Sequence, residues 1–220
     1  MKFKLLIFDW DGTLMDSEAR IVACVGAAVT ELELPSPGAD AIRNIIGLGL
    51  REAVHSLFPK ADDHLHIEIA ERYRRHYFSS QEVPPQLFEG ARDVIEQLHQ
   101  AGYLLAIATG KGRSGLNYAL ETTALGHYFH ITRCADESFS KPHPEMLHQI
   151  IEEMGVVPRQ ALMIGDTEYD LQMAANANVP SLGVTYGVHS PERLLKHKPL
   201  GCVQRVTEIP LWLAEVATVE

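Results

Sequence analysis

The stretch Lys4-Leu5-Leu6-Ile7-Phe8-Asp9-Trp10-Asp11-Gly12-Thr13 decides the fold of this 220-residue chain. Its apolar run reads as a strand buried on both faces, and the acids and glycine that stop it put polar chemistry at the strand's carboxyl end. The charged start, Met1-Lys2-Phe3-Lys4, imitates a secretory signal, but Asp9 and Asp11 end the run after a few residues. Short apolar runs bounded by turn residues recur at 103–108, 130–134, 161–164 and 181–184. Between them, residues 91–100 (Val94, Ile95, Leu98) and 144–154 (Leu147, Ile150, Ile151, Met154) carry apolar side chains at helical spacing.

Strands alternating with helices predict an α/β chain built on a doubly wound, Rossmann-like parallel sheet. Residues 16–83 break the alternation. They hold no strand pattern, only helical stretches around 18–32, 50–58 and 62–78, punctuated by Pro35-Ser36-Pro37-Gly38 and Pro84-Pro85. An α-helical cap subdomain at 16–83, inserted after the first strand, is the simplest arrangement and leaves 1–15 and 84–220 as the core.

Nineteen Lys and Arg against 29 Asp and Glu give a net charge of −10, so no global field draws nucleic acid or anionic lipid, and phosphate must be held locally. Cys24, Cys134 and Cys202 are odd in number and far apart, which fits a reducing, cytoplasmic compartment better than a disulfide framework or a CxxC metal site. No apolar stretch reads as a transmembrane span. The expected partner is a small molecule, with no nucleic acid and no membrane, and the chain is expected to be a monomer or weak homodimer.

In doubly wound sheets, ligands sit beyond the carboxyl ends of the strands. Those positions hold Asp9 and Asp11 after the first run, Thr109-Gly110-Lys111 after the second, and Gly165-Asp166-Thr167 after the fourth, with Asp170 a helical turn on; Lys141-Pro142 follows the third. Asp9 and Asp11 are two apart on extended backbone and point the same way. With Asp166 they make three acids in one mouth, which repel unless a cation sits there, and hard oxygen ligands with an open side suit Mg²⁺. Thr109 and Lys141 opposite would hold phosphate oxygens. Singly, each has an ordinary explanation: a strand-end Asp caps a turn, Gly12 and Gly165 serve tight turns, and Lys141 is a solvated loop cation. Jointly, in order along successive strand ends, coincidence does not supply them.

The segments Asp9-Trp10-Asp11-Gly12-Thr13-Leu14-Met15-Asp16-Ser17, Thr109, Lys141-Pro142-His143-Pro144 and Gly165-Asp166-Thr167-Glu168-Tyr169-Asp170, with Ala174 and Ala177, resemble the four motifs of the haloacid dehalogenase-like hydrolases. The chain is similar to the phosphoglycolate phosphatase-like branch, in which a helical cap follows the first motif. The resemblance implies a phosphatase acting on a small-molecule phosphate monoester, with Asp9 as nucleophile, Asp11 as general acid/base and Thr109 and Lys141 as phosphate clamps. It also implies Mg²⁺ held by Asp9, the Asp11 carbonyl and Asp166, with Asp170 in support. A carboxylate nucleophile splits the displacement into two easier ones through an aspartyl phosphate. Family members often carry Asn after the second-motif Thr; here Gly110 follows, so backbone amides would have to hold phosphate there. Asp11 favours phosphate esters over carbon–halogen substrates, because dehalogenases of the family replace it.

Other readings compete. Gly110-Lys111-Gly112-Arg113-Ser114-Gly115 matches a dinucleotide-binding G-x-G-x-x-G, with Asp136 and Glu137 downstream, which would make an NAD-dependent oxidoreductase; Lys111 and Arg113 are unusual in such a turn. A phospho-acceptor signalling module uses a comparable acid cluster, and β-phosphoglucomutase-like transfer is a neighbouring activity. His64 with His66, or His127 with His130, lack a metal-binding pattern, so no histidine is assigned to a metal. Trp10 is expected to pack or to line the pocket, and Tyr73, Tyr77 and Phe78 to fill the cap core. In Gly47-Leu48-Gly49-Leu50-Arg51, two glycines allow a bend toward the core, and Arg51 is the candidate to meet a second substrate anion.

Overall fold

A computed structural model describes residues 2–79 and 85–218. Strand β1 (Leu5–Phe8) has every residue buried. Alternate side chains serve two cores: Leu6 and Phe8 join Leu105, Ile107, Leu162 and Ile164 on one face, while Leu5 and Ile7 join Ala106, Ala108, Ala161 and Met163 on the other. That two-sided burial is why the strand reads as one unbroken apolar run.

After β1 come β2 (Met15–Asp16), helices α1 (Glu18–Glu31), α2 (Ala39–Ile45), α3 (Leu50–Leu57) and α4 (Asp63–Ser79), and then β3 (Gln86–Leu87). The remainder alternates: α5 (Ala91–Gln100), β4 (Leu104–Thr109), α6 (Arg113–Thr123), β5 (Ile131–Cys134), α7 (Glu145–Glu153), β6 (Ala161–Gly165), α8 (Glu168–Asn176), β7 (Ser181–Val184), α9 (Pro191–Leu195), β8 (Gly201–Val203) and α10 (Ile209–Thr218). Six strands form a parallel sheet in the order β5-β4-β1-β6-β7-β8. The chain winds one way from β1 through β4 to β5 and the other way through β6 to β8. The crevice beyond the carboxyl end of β1 is therefore the topological switch point, where such sheets bind ligands.

Helices α1 to α4 enclose apolar clusters of their own, built from Ile21, Val25, Ile42, Ile45 and Tyr77 in one and Val54, Ile69 and Ala70 in the other. One expectation needs correction. Asp16 is not helical or loop but pairs with Gln86 in the antiparallel β2–β3 ribbon, which brings together the chain's departure for these helices and its return. The boundary expected at 83/84 lies outside the described residues. Among the described residues, no helix is long and apolar enough to cross a membrane.

Candidate active site

The Asp9 backbone N–H extends the ladder by donating to the Ile164 carbonyl at 2.9 Å, so the side chain leaves the sheet at its central strand. Asp9 is 1% exposed. Its Oδ1 accepts the Trp10 N–H at 2.7 Å and lies 2.8 Å from Lys141 Nζ, whereas Oδ2 is buried with no partner. One oxygen is thus fixed and the other left free. Lys141 Nζ also lies 2.7 Å from Asp170 Oδ1, with no exposed side-chain surface. It is a buried ammonium bridging two carboxylates, not a solvated loop cation. Burial alone would lower its pKa, but Asp170 and Asp9 outweigh that and raise it, keeping the charge.

In the first turn of α8, Asp170 Oδ2 accepts the Thr167 N–H at 3.0 Å while the Asp170 N–H donates to Thr167 Oγ1 at 3.4 Å, forming a capping box, and Oδ2 also accepts the Thr167 hydroxyl at 2.7 Å. Asp166, fully buried, accepts the Thr13 hydroxyl at 2.8 Å on Oδ1 and the Val188 N–H at 2.9 Å on Oδ2. Burial pushes its carboxyl up to about 7, with Asp170 adding to the effect. Burial likewise raises Asp9 well above the ordinary carboxylate range, Lys141 pulling against it and Asp170 and Asp166 pushing with it.

Gly12 makes this convergence possible. Its φ is +81°, and a Cβ there would stand 2.1 Å from Asp166 Oδ2. Any larger residue would drive the loop after β1 away from the loop after β6.

Asp9, Asp166 and Asp170 offer ligand atoms within 4.8 Å of one another. The unpartnered, buried Asp9 Oδ2 beside the carboxylates of Asp166 and Asp170 makes an all-oxygen donor set, which fits a hard divalent metal. The Asp11 carboxylate, counted among the metal residues from sequence, is not in that group. Its Oδ1 accepts the Ser17 hydroxyl at 2.5 Å, and its Oδ2 lies 2.9 Å from Lys111 Nζ. Both Asp170 oxygens already have partners, which makes it the support of Lys141 and of the α8 cap.

Lys111 is the residue whose place the sequence reading missed. Its Nζ donates to the Tyr77 hydroxyl, on α4, at 3.0 Å, so a helix of the α1–α4 group meets the cation that pairs with Asp11. Its charge in a glycine-rich turn was the available signal. Tyr73 and Tyr77 line the cavity as well as the helical core, and Phe78 lines the cavity but is exposed rather than in that core, a correction to the expectation of core alone. Trp10 is fully buried and packs edge-on against Phe129 at 6.5 Å between ring centres.

Thr109, fully buried, ends β4, and its hydroxyl accepts the Lys111 N–H at 3.2 Å. A Cβ on Gly110 would meet the Gly47 and Leu48 carbonyls at 2.5 Å, so an Asn there has no room: the α2–α3 turn occupies its place. Gly49 N–H donates to Ser140 Oγ at 2.7 Å from the same turn. Arg51, exposed at the start of α3, lines the cavity with Asp9, Asp11, Thr109, Gly110 and Lys111. That cavity measures about 520 Å³.

The dinucleotide reading fails on geometry. The Arg113 N–H at the start of α6 is held by both Asp136 oxygens, at 2.9 and 3.0 Å, so a carboxylate stands where a pyrophosphate would bind.

Comparison with known proteins agrees with this geometry. Residues 6–184 match the haloacid dehalogenase-like hydrolase family. The chain is 33% identical to the Probable phosphatase IndB of Dickeya dadantii, covering 93% of this chain and 91% of that protein. It is 30% identical to a phosphoglycolate phosphatase of Salmonella typhimurium, covering 87% and 85%. A solved haloacid dehalogenase-like hydrolase from Streptococcus pneumoniae superposes with a TM-score of 0.84 at 28% identity, covering 96% of this chain and 99% of that one. The chain therefore belongs to the haloacid dehalogenase-like hydrolase family, as one of its phosphatases.

Proposed function

We propose that the protein hydrolyses a small-molecule phosphate monoester, of the phosphoglycolate or sugar-phosphate kind, through an aspartyl phosphate on Asp9. The observation that carries this is the split Asp9 carboxylate: Oδ1 fixed by Trp10 N–H and Lys141, Oδ2 buried and free. Oδ2 attacks phosphorus, the ester P–O bond breaks, and the departing alkoxide takes a proton from Asp11. Asp11 then takes a proton from the water that attacks the phosphoaspartate, which releases phosphate and regenerates Asp9. Lys141 and Thr109 hold phosphoryl oxygens, and Asp170 keeps Lys141 in place. Mg²⁺, held by Asp9 and Asp166 with the Asp11 carbonyl, would neutralise charge on the transferring group.

Helices α1 to α4, within 16–83, serve as the cap over a core of 1–15 and 84–220. Their contribution to the cavity is largely apolar, including Ile21, Val25, Ile45, Leu57 and Ile69, so a seated substrate is shielded from water. Arg51 is the cap's cation for a second anionic group. Arg51→Ala is expected to lower efficiency toward a two-anion substrate such as phosphoglycolate by about 10- to 100-fold. Its rate on p-nitrophenyl phosphate, which lacks that group, stays near wild type. Equal losses on both, in a phosphate-release assay, remove Arg51 from the substrate site.

Metal binding carries a pH signature. A carboxyl whose pKa is raised by folding costs stability as it ionises, so the metal-free protein loses stability as pH rises from about 4 through the Asp166 value near 7. A divalent cation takes the place of those protons. The Mg²⁺-induced rise in melting temperature is therefore expected to be larger at about pH 7.5 than at about pH 5.5, and to vanish in Asp166→Ala. Thermal unfolding in EDTA and in Mg²⁺ at both pH values checks this; equal shifts at the two would contradict it.

A further inference from the structure

We propose that His55, Asp63 and His66 form a second metal site, for a borderline divalent cation of the Zn²⁺ type, which ties α3 to α4 at the edge of the cavity. His55 stands in the last turn of α3, Asp63 opens α4, and His66 lies three residues further on, on the same face. The three offer ligand atoms within 4.8 Å of one another. The two imidazole rings lie 3.8 Å apart between centres.

His66 supplies an independent reason. It is only 7% exposed, and its Nε2 lies 2.8 Å from the Phe58 carbonyl oxygen. A carbonyl only accepts, so Nε2 carries the hydrogen and Nδ1 carries the lone pair. Nδ1 is buried and has no partner. A buried acceptor left unpaired is costly, and a cation at the mouth formed by His55 and Asp63 would satisfy it. An imidazole whose outer N–H is pinned to a backbone carbonyl is also how metal-ligating histidines are held in tautomer and orientation.

Donor chemistry selects the ion. Two neutral imidazole nitrogens and one carboxylate oxygen suit Zn²⁺ and its neighbours, whereas Mg²⁺ prefers oxygen alone and belongs with the aspartates. Zinc–nitrogen bonds of about 2.0–2.1 Å bring tetrahedral ligands closer than 4.8 Å, and the exposed His55 and Asp63 side chains are free to close in. A fourth position falls to water. Val54 and Leu57 flank His55, Ile69 follows His66, and all three line the cavity, so the ion would stiffen the wall that a substrate meets. The sequence reading did not join the three, because His55 sits on α3 while Asp63 and His66 share α4. His64, the obvious neighbour, has its Nδ1 3.7 Å from Glu68 instead.

The test uses the full chain in excess Mg²⁺, which fills the aspartate cluster, with Co²⁺ as a coloured probe of the zinc-type site. Wild type is expected to take up one equivalent, show the visible d–d absorption of tetrahedral Co²⁺, release it to Zn²⁺, and melt higher in Zn²⁺. His55→Ala and Asp63→Asn each change an exposed side chain. Both are expected to lose the absorption and the Zn²⁺-dependent melting shift while keeping the wild-type circular dichroism. Wild type that binds no Co²⁺ above the Mg²⁺-filled cluster, or a His55→Ala variant that still binds its equivalent, overturns the proposal.

Discussion

Asp9→Asn is expected to abolish turnover, lowering kcat by at least about 10,000-fold on p-nitrophenyl phosphate. The amide keeps the volume of the carboxylate, and its oxygen can still accept the Trp10 N–H, so the site remains packed. What disappears is the free anionic Oδ2, the one unpartnered carboxylate oxygen of Asp9 in a site walled by Lys141, Asp166 and Thr109. An uncharged amide neither attacks phosphorus nor carries a phosphoryl group that water can release. A steady-state phosphate-release assay, corrected for the uncatalysed rate, checks this. Activity within about tenfold of wild type would assign the nucleophile elsewhere.

Lys141→Ala is expected to cost about 3–5 kcal/mol of folding stability as well as activity. The ammonium lies 2.8 Å from Asp9 and 2.7 Å from Asp170, and neither it nor Asp170 has exposed side-chain surface. Removing it leaves two buried carboxylates without their counter-charge, close to a third at Asp166. The cost of such a break is the uncompensated charge left behind rather than the worth of the pair. Urea unfolding of metal-free wild type and variant measures it. A loss under about 1 kcal/mol would mean that the ammonium is not holding this group together.

The stretches 4–8, 103–108, 130–134, 161–164 and 181–184 all fall on observed strands; β1, β4 and β6 were legible because burial on both faces keeps their runs apolar, and the edge strand β5 because Ile131 and Cys134 bound a short run despite Thr132 and Arg133. β8 escaped because Gly201-Cys202-Val203 is three residues at a sheet edge, too short for any period to register. The β2–β3 ribbon, two residues a side, escaped for the same reason, and α2 is a seven-residue helix with few repeats of its pattern. In the site, spacing along the chain brought Asp9, Thr109, Lys141, Asp166 and Asp170 to adjacent strand ends. Contacts between distant segments did not show. Nothing in the chain joins Lys111 to Asp11 a hundred residues earlier and to Tyr77 on α4, or explains Gly110, until the α2–α3 turn is seen lying against it. The Asp11 carboxylate likewise pairs with Lys111 and Ser17 and is not in the metal-type cluster, which departs from three acids sharing one mouth but leaves the role implied for its carbonyl untouched.

The most direct test of covalent catalysis at Asp9 is to locate the phosphoryl group. In Asp11→Asn, attack by Oδ2 remains possible while activation of water is impaired, so phosphoenzyme accumulates. After acid quench of this variant with substrate and Mg²⁺, peptide mass spectrometry is expected to find one phosphoryl group, on the peptide that contains Asp9, and sensitive to hydroxylamine as an acyl phosphate is. Substrate turnover with no phosphorylated peptide at any quench time, or with the group on another residue, would contradict it.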